Sequence, residues 1–94
     1  MKVRWTASAA DDLKSAHEYI DEESPSATDA LIDRIFAGIE MLRRFPRAGR
    51  EGRIENTREL VVTGTPFIIF YRISHDHIEI LGIIHAARRW PSTS

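Results

Sequence analysis

The sequence predicts an α+β fold of two layers, in which two helices cover one face of a single sheet. A short alternating segment opens the chain, two stretches with helical spacing follow it, and three apolar segments separated by turn signals come last. Helices followed by a run of strands are typical of the α+β class. A length of 94 residues is that of one domain, so we expect a single domain over residues 1–94.

The first strand and the first helix lie at the start of the chain. Val3 and Trp5 alternate with polar residues and should share one face of a short strand. Ser8 and Asp11 have the spacing of a capping box, which predicts a helix starting at Ser8. Acidic residues at 21–23 are unfavourable at the negative end of a helix dipole, so the helix should end there. Its apolar side is predicted to consist of Ala9, Leu13, Ala16, His17 and Ile20.

The second helix is predicted to begin at Ser24-Pro25, because Ser caps helices and Pro fits their first turn. Phe45-Pro46, with Gly49 close behind, should end it, giving an antiparallel helix hairpin. Gly38 lies on the apolar side, where a small residue lets another element approach closely. The apolar side comprises Ala27, Leu31, Ile35, Ile39 and Leu42, with Phe36 and Phe45 beside it.

Three strands are predicted after a charged loop, and they should complete one sheet as an antiparallel meander. They span residues 58–62, 67–73 and 77–86, and the middle strand is central because nearly all of it is apolar. Alternation along the last strand groups Ile78, Ile80, Gly82 and Ile84 on one face. Because both helices cover the same face of the sheet, Ile68 and Phe70 should form an uncovered apolar surface, which typically marks a binding site.

The net charge of -1 combines an acidic first helix with an arginine-rich segment. Arginine pairs bidentately with carboxylates and phosphates, so this segment indicates either a partner surface or a compositional bias of the genome. The balanced total argues against a protein that coats nucleic acid. The arginines concerned are Arg43, Arg44, Arg47, Arg50 and Arg53.

Several classes of protein are excluded by composition. The chain has no cysteine, which excludes disulfides, thiolate metal sites and a cysteine nucleophile. The longest apolar run, residues 67–71, is far shorter than the roughly 20 residues that span a bilayer. No apolar segment typical of a secretion signal follows the first residues. We therefore expect a cytoplasmic protein that does not associate with membranes.

Basic and imidazole side chains collect on the predicted sheet and suggest one catalytic hypothesis. Cleavage of RNA by its 2′-hydroxyl needs a base, an acid and a cation for the phosphate. His85 would be the base or acid, Arg72 or Arg88 the phosphate clamp, and Glu59 a second proton carrier. In the alternative interpretation, His85 caps a strand edge and the arginines pair with local acids. The spacing matches no catalytic motif.

Three smaller features bear on possible sites. His75 and His77 share a strand face, as metal ligands do, but no convincing third ligand exists, so we expect a surface turn and no metal. No glycine spacing matches a phosphate-binding loop, and no cofactor is expected. Trp90-Pro91 is either an anchor for a partner or a segment that packs back on the core.

The order of these elements, with several short motifs, resembles the RelE/ParE superfamily of type II toxins over essentially the whole chain. The motifs are Trp5-Thr6, Ala10-Asp11-Asp12-Leu13, the strands 58–62 and 67–73, Ile78–Leu81, and His85-Ala86-Ala87-Arg88-Arg89-Trp90-Pro91. The resemblance implies a cognate antitoxin, whose C-terminal segment wraps the toxin, folds on binding and forms a hetero-oligomer with it.

The superfamily contains two activities. RelE-like members cut mRNA in the ribosomal A site, whereas ParE-like members poison DNA gyrase. Ile68 stands where an RNase member would place an arginine, and no tyrosine follows Arg89; an isoleucine cannot clamp a phosphate. We therefore expect a ParE-like toxin that binds gyrase, with a RelE-like endoribonuclease as the alternative. Target or antitoxin binding is expected at Arg58, Ile68, Phe70, Arg72, His85, Arg88, Arg89 and Trp90.

Overall fold

Two helices and five strands make up the part of the chain that the computed structural model describes, residues 1–21 and 25–86. This confirms the predicted α+β architecture of an N-terminal strand, a helix pair and a meander. One short strand, Arg50–Glu51, lies in the segment predicted to be a charged loop. The elements are β1 (Lys2–Trp5), α1 (Ala7–Asp21), α2 (Pro25–Arg44), β2 (Arg50–Glu51), β3 (Arg58–Val61), β4 (Phe67–Ile73) and β5 (His77–His85).

The strands form one sheet in the order β1-β5-β4-β3-β2, with β4 in the predicted central position. β1 pairs with β5 in parallel, which is possible because a long connection that includes the helix hairpin separates the two strands. Every other pair is antiparallel. β4 is buried on both faces over residues 67–71, which explains its continuous apolar sequence.

The hydrophobic core lies between the helices and one face of the sheet. Gly38 permits the close approach predicted for it, since a Cβ there would lie 3.0 Å from the Cδ1 of Ile69. Thr28 rather than Ala27 is buried on α2, and His17 on α1 is exposed, so the predicted apolar sides are wrong at Ala27 and His17. The side chain of Ile20, also predicted to be on the apolar side of α1, lies outside the described residues. No helix among the described residues has the length and apolar character needed to cross a membrane. The fully buried large side chains include Ile35, Leu42, Ile69, Tyr71, Ile78 and Ile80.

The first helix is capped by Thr6, and the predicted start at Ser8 is wrong. The hydroxyl of Thr6 accepts a hydrogen bond from the backbone N–H of Ala9 (3.1 Å) and also donates to the backbone oxygen of Ile80 (3.1 Å). Thr6 therefore caps α1 and attaches it to β5 at the same time. The predicted cap at Ser24 lies outside the described residues.

A β-bulge in β5 corrects the predicted grouping of its side chains. Gly82 pairs with Phe70, whereas Ile80 pairs with Tyr71, so Leu81 is an extra residue. Such a residue moves all later side chains to the opposite face. Ile78 and Ile80 consequently share the core with Ile83, and Ile84 lies on the other face; the predicted grouping is wrong. Beside the bulge, the N–H of Ile83 donates to the carboxylate of Asp12 at 3.1 Å.

The face of the sheet opposite the core is not an uncovered apolar surface. Ile68 and Phe70 do lie on this face, as predicted, but they are only 5% and 6% exposed. Ile84 lies across from Ile68, and the carboxylate of Asp12 reaches the bulge beside Phe70. Glu59 adds a buried side chain opposite Phe70. The prediction of an exposed apolar face is therefore wrong at both residues.

Candidate functional site

The loop after α2, residues 45–49, is held by two side chains from the sheet. The hydroxyl of Tyr71, which is fully buried, donates to the backbone oxygen of Pro46 (2.7 Å) and accepts from the N–H of Gly49 (2.9 Å). The guanidinium of Arg58 donates to the backbone oxygen of Gly49 at 2.7 Å. Because both anchors come from neighbouring strands, the loop has a fixed position over the end of the sheet.

The environment of Tyr71 keeps its hydroxyl protonated. Burial raises the pKa of Tyr71 above its ordinary value of 10, and this effect is larger than the opposite effects of the Gly49 N–H and the Arg58 charge. A protonated hydroxyl can donate one hydrogen bond while it accepts another. Tyr71 is therefore suited to holding both Pro46 and Gly49.

The following loop, residues 52–57, is held by a buried carboxylate. Glu59 is 3% exposed, and its two oxygens accept from the guanidinium of Arg50 (3.3 Å) and the backbone N–H of Arg53 (3.1 Å). The Arg53 side chain lies 3.5 Å from the same carboxylate. This arrangement gives Glu59 a role in anchoring the loop; a role as a proton carrier stays a prediction.

The structure separates the two main residues of the catalytic hypothesis. Arg72 lies opposite Glu79 in the ladder between β4 and β5, whereas His85 lies opposite Phe67. Phe67 and Arg72 are five residues apart in β4, which is about 17 Å along a strand. Arg72 also shares the face of Phe70, and His85 shares the opposite face.

Both side chains have structural contacts of their own. The guanidinium of Arg72 forms an ion pair with Glu79 at 2.6 Å. The ring of His85 packs edge-on against Phe67, with ring centroids 5.3 Å apart. The Arg72 ion pair matches the structural alternative, in which the arginines pair with local acids. The capping role predicted there for His85 stays a prediction. Arg88, Arg89 and Trp90 lie outside the described residues.

Metal binding has little geometric basis around the β4–β5 turn. His77 Nδ1 lies 3.0 Å from Asp76 Oδ1, and this contact lowers the pKa of the Asp76 carboxyl. Among the described residues, no group of three potential ligands comes together. The turn has the contacts of an ordinary surface turn.

A groove lies between α2 and β3. Its floor is apolar, from Gly38 and Leu60, and the guanidinium of Arg34 donates to the backbone oxygen of Thr63 at one end (3.1 Å). The ladder between β2 and β3 stops at Glu59. The N–H of Val62 donates to Phe67 in β4, so the backbone groups of its neighbour Val61 point to the outer edge of the sheet.

Sequence reasoning missed Tyr71 and Asp12 as organising residues. Tyr71 was assigned only to an apolar strand, although a tyrosine in such a strand needs a partner for its hydroxyl, and that was a usable signal. For Asp12 the sequence indicates only that it belongs to an acidic first helix. Its partner, the N–H of Ile83, lies 71 residues away, and no local pattern indicates it.

Comparison with known proteins decides the family. The family model described as the ParE toxin of the type II toxin–antitoxin system parDE matches residues 3–90. This chain belongs to the ParE toxin family. It is therefore a toxin of a type II toxin–antitoxin system, and the resemblance to the RelE/ParE superfamily is confirmed.

Individual relatives of this ParE family member carry both kinds of name. The chain is 42% identical to Y4kP of Sinorhizobium fredii over 90 residues, which cover 96% of this chain and 93% of that protein. It is 34% identical to Toxin RelE2 of Caulobacter vibrioides, over 93% of this chain and 97% of the relative. A solved structure titled the chromosomal ParDE TA system from P. aeruginosa matches with a TM-score of 0.82 at 26% identity, over 90% of this chain and 95% of that one.

Proposed function

We propose that this ParE-family toxin inhibits DNA gyrase by binding it, without a catalytic step, and that a cognate antitoxin neutralises it. The separation of Arg72 from His85 carries the proposal. General acid–base catalysis needs its groups within hydrogen-bond reach of one substrate. Two groups on opposite faces and about 17 Å apart along the sheet cannot meet one phosphate, so Arg72 is not the phosphate clamp for His85. Binding through a surface needs no such cluster.

The groove between α2 and β3 is the surface proposed for the antitoxin. An extended antitoxin segment placed there would pair with the backbone groups of Val61 in β3, where the ladder with β2 has already stopped. Its apolar side chains would cover Gly38 and Leu60 on the floor. A segment that folds as it binds can fit both the groove and the adjoining sheet edge, which suits the wrapping C-terminal segment expected for the antitoxin.

A ribosome-dependent endoribonuclease is the second candidate. It is favoured by the RelE names of relatives that are 34% and 31% identical to this chain. In that case His85 would act as base or acid, and the phosphate would be held by Arg88, which lies outside the described residues, because Arg72 is too far from His85. Glu59 would need to leave its pairing with Arg50 and Arg53 to carry a proton.

One experiment separates the two candidates. The toxin is induced without its antitoxin, and plasmid supercoiling and mRNA cleavage are measured in the same cells. We expect supercoiling to be lost while mRNA stays intact, and His85→Ala to retain most of the toxicity. Codon-specific mRNA cuts with normal supercoiling, abolished by His85→Ala, would overturn the proposal in favour of the endoribonuclease.

A further inference from the structure

Phe45 is an exposed aromatic residue beside a small apolar cavity. Phe45 is 61% exposed, a larger fraction than for any other large hydrophobic residue in the described part of the chain. The cavity has a volume of about 360 Å³, and Pro46, Ala48 and Ile73 line it together with Phe45. We call this feature the Phe45 pocket. Arg44 and Arg47 lie at its rim.

The backbone around the Phe45 pocket is fixed before any partner binds. The N–H of Phe45 donates to Met41 at 2.7 Å, and its backbone oxygen accepts from Ala48 at 3.0 Å. Tyr71 holds the backbone on both sides of Arg47, at Pro46 and Gly49. A surface that is already ordered loses less entropy on binding, which is what allows one aromatic residue to contribute much of an affinity.

The charge around the Phe45 pocket is positive and not neutralised. Within the described part of the chain, neither Arg44 nor Arg47 has an acidic partner, and both are exposed. Arg43, by contrast, pairs with Glu40 at 3.0 Å. An apolar cavity with a positive rim is complementary to a segment that carries carboxylates on either side of a bulky apolar residue.

We propose that the Phe45 pocket binds the toxin's protein target, through an acidic segment whose bulky apolar side chain enters the cavity. The inference rests on the proposed function in one respect, namely that the toxin acts by binding a protein. A cavity with one aromatic anchor suits a loop or helix end of a folded partner. The groove at Val61 adjoins an open sheet edge, to which a strand can be added, and this suits the antitoxin segment instead.

The test compares Phe45→Ser with Ile54→Ser, which changes another exposed loop residue outside the pocket. Growth arrest is measured after induction without antitoxin, and the antitoxin Kd is measured on the purified full-length proteins. Phe45→Ser should weaken growth arrest by about tenfold or more, the loss typical of a central aromatic anchor. Its antitoxin Kd should stay within about threefold of the unmodified toxin's, and Ile54→Ser should change neither quantity.

Full growth arrest by Phe45→Ser would overturn the inference. If the antitoxin Kd is weakened in the same variant, the pocket is assigned to the antitoxin. Arg47→Glu tests the same surface through charge if Phe45→Ser fails to fold. Supercoiling measured in these cells distinguishes a failure of the gyrase proposal from a failure of the Phe45 pocket proposal. Normal supercoiling under growth arrest would exclude gyrase as the target, while the dependence on Phe45 would still be measured.

Discussion

The loop at residues 45–49 and the loop at residues 52–57 follow each other in one arginine-rich segment, yet the fold holds them in opposite ways. The first is anchored through its backbone, by Tyr71 and Arg58 from the sheet. The second is anchored by Glu59, which pairs with the segment's own Arg50 and Arg53. The first arrangement leaves Arg47 without an acidic partner among the described residues. The second pairs Arg50 and Arg53 with Glu59 and neutralises their charge.

This difference shows that a run of arginines in a sequence is not one functional unit. A buried carboxylate decides which cations are neutralised, and here only one of the two loops faces such a group. Exposed ion pairs contribute little to stability, whereas a carboxylate accepting a backbone N–H in a buried position contributes more. The comparison therefore makes separate predictions for the two anchors.

The largest effect on stability is expected from Gly49→Ala in the first loop. A Cβ at this position would lie 2.6 Å from the hydroxyl oxygen of Tyr71, and 3.0 Å from the backbone oxygen of Glu59. Since both atoms belong to the sheet, relief requires the loop to move. We expect a loss of about 3 kcal/mol in the free energy of unfolding, measured by urea denaturation.

Ala48→Ser is the control for that variant, because residue 48 is exposed and next to the critical position. Its effect should stay within about 0.5 kcal/mol. An equal loss of stability in both variants would mean that the Tyr71 anchor does not fix the loop.

A smaller loss of stability is expected from Glu59→Gln in the second loop. The amide keeps one acceptor oxygen but loses the charge that faces Arg50 and Arg53. We expect a loss of about 1–2 kcal/mol in unfolding free energy, with growth arrest per folded molecule unchanged.

Glu79→Gln provides the matched change at a more exposed ion pair, with Arg72. Its effect should be below about 1 kcal/mol. A larger loss at Glu79 than at Glu59 would refute the assigned role of the buried carboxylate.

Near neutral pH, the smallest effect on the free energy of unfolding is expected from ionisation of the Tyr71 hydroxyl. Burial raises the pKa of Tyr71 in the folded protein, so the folded state holds this proton more tightly than the unfolded state does. The resulting stabilisation is fully present below pH 10, and it is lost as the pH rises through the folded pKa. Urea denaturation at pH values from about 8 to 11 should show a loss of stability that Tyr71→Phe reduces. Identical pH dependence in the two proteins would contradict this assignment.

Local signals made part of the fold predictable from the sequence. The start of α2 at Pro25 and the whole of β4 were predicted at their observed bounds, because a proline and a continuous apolar run act over a few residues. The cap at Thr6 depends on Ile80, 74 residues away. The bulge at Leu81 has no sequence pattern of its own, since alternation predicts an unbroken strand.

The candidate site was less predictable than the fold. Residue types on the sheet suggested that Arg72 and His85 would meet, but only the register of β4 and β5 shows that they lie far apart. Glu59 is of a residue type that can act as a catalytic acid. Its burial and its ion pairs with Arg50 and Arg53 could not be inferred from spacing. Side-chain chemistry is local, whereas the distances that matter depend on strand register.

The most direct test of the account compares two double variants for growth arrest and for stability. Arg44→Ala with Arg47→Ala should weaken growth arrest by about tenfold while leaving the unfolding free energy within about 0.5 kcal/mol. Arg50→Ala with Arg53→Ala should lower the unfolding free energy by about 1–2 kcal/mol and leave growth arrest per folded molecule unchanged. The reverse pattern, with toxicity following Arg50 and Arg53, would contradict the claim that the Tyr71-anchored loop presents the toxin's binding surface.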